Sequence, residues 1–240
     1  MIDVRRAADR FTTTTAGVTT WHSFSFGAHY DPGNVGFAAL VAHNEEQVAP
    51  RKGYDLHPHS DLEIVTWVLE GSLVHTDSTG RTDELHRGAV QLLSAGSGIL
   101  HSERNDVPGA RTTTRFVQMW LRPDELGRRP SYAQREVPAA GELVPLVSGI
   151  RGVDAAVRIG TAGAALHVAR LAPGESVDLP EAPRLHVFVA QGAVRLHGAE
   201  VLTEGDAVRC HDEGGVLAVA DGEAELLVWQ LPADPRARPL

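Results

Sequence analysis

Nowhere in this chain do apolar residues recur at the 3.6-residue spacing of a long helix. They come in short runs closed off by glycine. Residues 62–69 are rich in β-branched and aromatic side chains and end at Glu70-Gly71, a strand and its turn. Residues 72–77 return, and Ser78-Thr79-Gly80-Arg81 turns again. Arg87-Gly88 precedes the apolar run 89–93, Ala95-Gly96-Ser97-Gly98 bends into Ile99-Leu100-His101, and 112–122 holds one more strand. Strands at this spacing predict an all-β chain, an antiparallel sandwich or barrel.

The first twenty residues read as an early strand or arm. Trp21 to Gly27 alternates aromatic and small residues, so Phe24 and Phe26 share a face, either in the core or walling an apolar cavity. Residues 37–43 read as a strand and 44–51 as a polar loop. Pro123 to Pro145, rich in Pro, Gly, Arg and Glu, reads as a linker and places a boundary near residue 130, giving units 1–130 and 131–240. The second unit echoes the first: 187–194 resembles 66–73, and Glu204-Gly205-Asp206 matches the segment around Arg87-Gly88. Aligning Gly192 with Gly71 puts Asp178 and Pro180 in the slots of His57 and His59, so the echo lacks the histidine pair.

That pair is the chemical signal. Strand residues two apart point to one side, so His57 and His59 share a face, as do His101 and Glu103. Brought together, the pairs set three imidazoles and one carboxylate around a point, a donor set for a divalent cation. Such a set leaves the ion about one net positive charge and, in octahedral geometry, about two open positions. A closed structural site is the alternative, but those are four-coordinate and often thiolate-rich, and no cysteine lies near. His22, His29, His43, His75 and His86, like His167, His186, His197 and His211, read singly as surface or hydrogen-bonded core residues. Cys210 has no acid placed by sequence to complete a triad with His211.

Composition closes off other classes. A formal charge of −9 with no basic run disfavours nucleic acid as a direct partner and reads as solubility. One cysteine excludes an intrachain disulfide, the N-terminus lacks the apolar core of a secretory signal, and no apolar stretch is long enough to span a membrane. The expected address is the cytoplasm.

The His-x-His pair, the apolar strand closing on Gly71 and the later histidine resemble the cupin family. Two departures stand out: the acid of the family's first motif would fall at Ile64 while Glu63 is one place off, and Ser94-Ala95-Gly96 stands where cupins have Pro-x-Gly. Glu63, on the opposite pleat, is expected to be structural. The carboxylate is recovered by Glu103, an arrangement similar to the pirin subgroup of bicupins. Ser23-Phe24-Ser25-Phe26-Gly27, Tyr30-Asp31-Pro32, His57-Pro58-His59, Glu63-Ile64-Val65-Thr66, Leu69-Glu70-Gly71 and residues 95–103 all resemble pirin motifs, in order.

The resemblance implies two jelly-roll cupin barrels, with one metal in the N-terminal one held by His57, His59, His101 and Glu103. The metal is usually iron, Fe(II), although Mn, Ni, Co, Cu or Zn suit such a site. It implies a dioxygenase resembling quercetin 2,3-dioxygenase, which takes O2 and a small aromatic substrate such as a flavonol, with Glu103 as ligand and catalytic base and Phe24, Phe26 and Trp67 as candidate wall. The alternative is a non-catalytic, iron-dependent regulator binding a protein partner, either as a transcriptional co-regulator or as a modulator of a metabolic enzyme. An apolar cavity open to the metal favours the first, and an exposed patch beside it the second.

Overall fold

The apolar runs fold as strands, with one turn of 3-10 helix at Ala7–Asp9 among the described residues. The computed structural model describes residues 1–138, 140–196, 200–213 and 215–233; His197 lies outside them. The first strands are β1 (Ile2–Arg5), β2 (Phe11–Thr15), β3 (Val18–His22), β4 (Leu40–Val48), β5 (Gly53–His59) and β6 (Glu63–Glu70). They are followed by β7 (Ser72–Asp77), β8 (Thr82–His86), β9 (Ala89–Ser94), β10 (Ile99–Arg104), β11 (Thr114–Leu121) and β12 (Ser131–Glu136). Then come β13 (Val144–Ser148), β14 (Val157–Arg158), β15 (Ala165–Leu171), β16 (Ser176–Asp178) and β17 (Ala182–Gln191). The last are β18 (Ala193–Leu196), β19 (Val201–Thr203), β20 (Ala207–Glu213), β21 (Leu217–Ala220) and β22 (Ala224–Leu231). Among the described residues, no helix is long and apolar enough to cross a membrane.

The strands make two cupin barrels on one plan. In the first, a seven-stranded sheet of order β12-β9-β6-β11-β4-β3-β2 accompanies a four-stranded sheet of order β5-β10-β7-β8. In the second, the orders are β1-β20-β17-β22-β15-β13-β14 and β16-β21-β18-β19. Each large sheet has an edge strand brought in from far along the chain: β1 pairs with β20, and β12 with β9. The segment read as a linker therefore contains a strand. Its polar composition is that of a solvated sheet edge, which sequence pattern does not separate from a loop.

The two large sheets pack on each other through Val65, Trp67, Val117 and Met119 of one barrel and Leu166, Val168, Leu227 and Trp229 of the other. Trp67 Nε1 donates to Glu225 Oε1 at 2.6 Å, and Trp229 Nε1 to Met119 Sδ at 3.1 Å. Arg115 bridges Glu45 at 2.7 Å and Glu204 at 2.9 Å in the same layer, and Arg10 meets Glu45 at 2.8 Å. Trp67 and Phe24 both belong to this core and do not line the cavity beside the histidines.

Strand β4 corrects a second expectation. It begins at Leu40 rather than residue 37 and runs on through Asn44, Glu45 and Glu46, which are buried, where the sequence reads as a loop. Alternation sends Glu45 to the ion network between the barrels and Glu46 into the first barrel. Polar side chains here meet protein or a cavity instead of solvent. The alternation of residues 21–27 likewise ends as a strand at His22.

The echo between the halves is visible in the backbone. Gly71 and Gly192 both hold a left-handed conformation, φ 71° and 77°, at the turns β6–β7 and β17–β18. Where the first barrel sets His101 opposite His57, the second sets Leu217 opposite Asp178. Val177, Leu179, Val194 and Leu196 fill the second barrel's interior. Among the described residues, both clusters able to hold a metal lie in the first barrel.

Candidate metal centre and its cavity

Strands β5 and β10 run antiparallel, with His101 opposite His57 and Ile99 opposite His59. The register then slips between His101 and Glu103, which comes to face Tyr54. Such a bulge re-aims side chains next to a site. It also brings Gly53, at φ 146°, so near β10 that a Cβ there would collide with the carbonyl oxygen of Glu103.

Ring centroids of His57 and His101 are 4.5 Å apart, those of His57 and His59 4.9 Å, and those of His59 and His101 5.0 Å. One donor atom from each of the three imidazoles lies within 4.8 Å of the other two. Glu103 joins a second such group with His101 and His75, also within 4.8 Å. The four residues singled out from the sequence thus fall in two overlapping triples that share His101. His75 is an addition: it stands opposite Glu103 on β7, fully buried, with Nε2 3.4 Å from Asp77 Oδ2.

His57 Nδ1 lies 2.7 Å from the carbonyl oxygen of Asp55, so it carries the proton and leaves Nε2 as the lone-pair nitrogen. His59 Nε2, both ring nitrogens of His101, Nδ1 of His75 and Oε1 of Glu103 are buried with no hydrogen-bond partner among the described residues. Burial, with His101 and His57 alongside, pushes His59 down to about 4. Burial, with His57 and His75 alongside, pushes His101 down to about 3. Both rings are therefore neutral at pH 7 with lone pairs exposed to one another. Buried polar atoms are normally paired, and neutral imidazole nitrogens beside a carboxylate oxygen suit a divalent cation.

Behind the cluster, Gln118 Nε2 donates to Glu103 Oε2 at 2.7 Å and Gln118 Oε1 accepts from Trp120 Nε1 at 2.9 Å. This chain leaves Oε1 of Glu103 as the carboxylate's unengaged oxygen. Gln118 and Trp120 are two apart on β11 and share a face, the only signal the sequence carries for them.

A cavity of about 340 Å³ opens onto His57, His59 and Glu103. Phe26 and Trp120 form apolar wall, their rings edge to face at 5.1 Å, and Trp120 also meets the His59 ring at 4.9 Å. Thr20, Asn44, Glu46 and Tyr54 supply polar wall. Phe26 thus takes the place the sequence suggested, whereas Trp120 and Glu46 were not foreseen. Glu63 lies elsewhere, accepting from Ser94 Oγ at 2.8 Å and from the Gly160 N–H at 3.3 Å, a structural role as expected.

A family model described as Pirin matches residues 4–121, and one described as quercetinase C-terminal cupin domain matches 146–231. A Mycobacterium tuberculosis protein provisionally named quercetin 2,3-dioxygenase is 48% identical over 236 residues, 97% of this chain and 96% of that protein. The quercetin 2,3-dioxygenase of Escherichia coli K12 is 34% identical over 234 residues, 97% and 99% of the two chains. The crystal structure of YhhW from Escherichia coli superposes with a TM-score of 0.90 at 32% identity, covering 97% of this chain and 98% of that one. The same bacterial pirin in complex with nickel(II) superposes at 0.88, again at 32% identity, covering 97% and 99%.

Proposed function

Because the chain belongs to the pirin family, we propose that it is a metal-dependent dioxygenase of the quercetin 2,3-dioxygenase kind, cleaving a flavonol with molecular oxygen. His57, His59, His101 and Glu103 hold one divalent ion, Fe(II) first among those that suit them, in the first barrel. When bound, the ion supplies Lewis-acid stabilisation of a substrate oxygen and a binding position for O2.

The observation that carries this reading is the cavity: about 340 Å³ of partly apolar space beside the imidazoles, within the range of small-molecule sites. Phe26 and Trp120 offer ring faces and edges to an aromatic substrate. Glu103 Oε1, with Oε2 held by Gln118, accepts the proton of the flavonol 3-hydroxyl and turns it into a better electron donor.

A second reading has one observation of its own. Leu56, Pro58 and Leu100 are exposed on β5 and β10 beside the ligand residues, an apolar surface that a protein partner would cover in a regulator. Oxygen uptake by iron-, manganese- and nickel-loaded protein with quercetin separates the two. Uptake that requires both metal and flavonol supports the dioxygenase. Metal that stays bound while no form consumes oxygen moves the assignment to the regulator.

A further inference from the structure

We propose that Glu46 recognises the substrate, taking a hydroxyl group other than the one that meets Glu103, and so selects polyhydroxylated aromatics over singly hydroxylated ones. This rests on the dioxygenase reading and adds a specificity residue to it.

Glu46 is 3% exposed and lines the cavity from β4. Its Oε2 accepts from Thr20 Oγ1 and from Tyr54 Oη, each at 2.6 Å, and those hydroxyls are 3.0 Å from each other. Two donors on one oxygen, from β3 and β5, fix the carboxyl plane. Oε1 carries no hydrogen bond among the described residues. The neighbouring Glu45 shows what a structural carboxylate looks like here, with Arg10 and Arg115 both upon it. Glu46 has no cation partner among the described residues, and an uncompensated buried carboxylate is costly.

The chemistry of the group follows. Burial pushes the Glu46 carboxyl up to about 8 against the hydrogen bonds from Thr20 and Tyr54, which favours the protonated form at neutral pH. With Oε2 saturated as an acceptor, the proton sits on Oε1, and that O–H donates to whatever oxygen enters the cavity. A phenolic hydroxyl suits it, since it accepts from Oε1 and donates onward. The position fits as well. Glu46 stands opposite Phe116 on β11, so Gln118, the residue that holds Glu103, is its diagonal neighbour. Diagonal positions lie on the order of 7–8 Å apart, so Glu46 and the glutamine that holds Glu103 are near neighbours at one cavity, with Trp120 and Phe26 in its wall.

The test uses metal-loaded protein under nitrogen, so that binding is read without turnover, and two probes: quercetin and 3-hydroxyflavone, which keeps only the hydroxyl assigned to Glu103. Glu46→Leu is expected to weaken quercetin at least tenfold and 3-hydroxyflavone less than about twofold, while Glu46→Gln, which keeps both an acceptor and a donor, stays within about threefold of the parent for both. Equal losses for the two probes overturn the assignment and leave the dioxygenase reading standing. Binding of neither probe by the parent protein overturns both. Where Glu46→Leu does not fold, infrared difference spectra decide: a protonated-carboxyl band absent from Glu46→Gln shifts with quercetin and not with 3-hydroxyflavone. A band that is missing, or indifferent to quercetin, overturns the proposal.

Discussion

His101 stands directly across the β5–β10 ladder from His57, with the two rings 4.5 Å apart. Their donor atoms, with that of His59, lie within 4.8 Å of one another, and His101 belongs to both donor groups. Replacing His101 with Ala is therefore predicted to weaken metal binding more than replacing His59, and by at least about a hundredfold, beyond the usual cost of losing an outer-shell partner. Competition against a fluorescent chelator measures this. Equal, small losses at both positions would contradict it.

Gln118 orients the carboxylate from behind. Gln118→Leu strands Glu103 Oε2 and Trp120 Nε1 together, while removing no hydrogen bond to an imidazole. We predict a loss of about 10–100-fold in metal affinity or turnover, the range for an outer-shell hydrogen bond. Metal titration with steady-state oxygen uptake reads it, and an unchanged variant would show that Glu103 is placed by its strand alone.

Gly53 is where β5 comes closest to Glu103. An alanine there carries a strained φ and meets the backbone of β10, so β5 must draw back. The expected loss is about 1–3 kcal/mol in urea unfolding, with weakened metal binding, since His57 moves with its strand.

Stability should also report buried charge. Between the ordinary carboxyl value of 4.5 and about 8, folded Glu46 keeps a proton that the unfolded chain releases, so its contribution falls as pH rises. His43 acts in the opposite sense. Burial, with Arg10 beside it, holds it down to about 3, so below 6.5 the unfolded chain takes a proton that the folded ring refuses. His186, its ring tilted against that of His43 with centroids 4.7 Å apart, is lowered in the same direction. Each group contributes up to about 1.4 kcal/mol per pH unit within its window. We predict for the metal-loaded protein that Glu46→Gln removes part of the decline above pH 6.5, and that His186→Phe flattens the acid limb below it. Thermal melts across pH 4–9 test both signs.

These residues also show what could be read in advance. The pairs His57/His59 and His101/Glu103 were legible because a strand repeats every two residues and imidazoles have few other reasons to repeat that way. Asn44 to Glu46 were not. A polar strand facing a cavity on one side and an ion network on the other has the composition of a loop. Residues 131–136 hid for a related reason, since a sheet edge is polar by design. His75 and Gln118 act through cross-strand neighbours, His75 opposite Glu103 and Gln118 opposite Asn44 and Thr66, and no spacing along the chain reveals which strands are adjacent.

The direct measurement is an anomalous-scattering map of crystals grown with iron, or with nickel as a robust substitute. It should show one ion per chain, coordinated at about 2.0–2.2 Å by nitrogens of His57, His59 and His101 and by Glu103. A map with no peak among these four side chains, or with the ion held elsewhere in the molecule, would contradict the account.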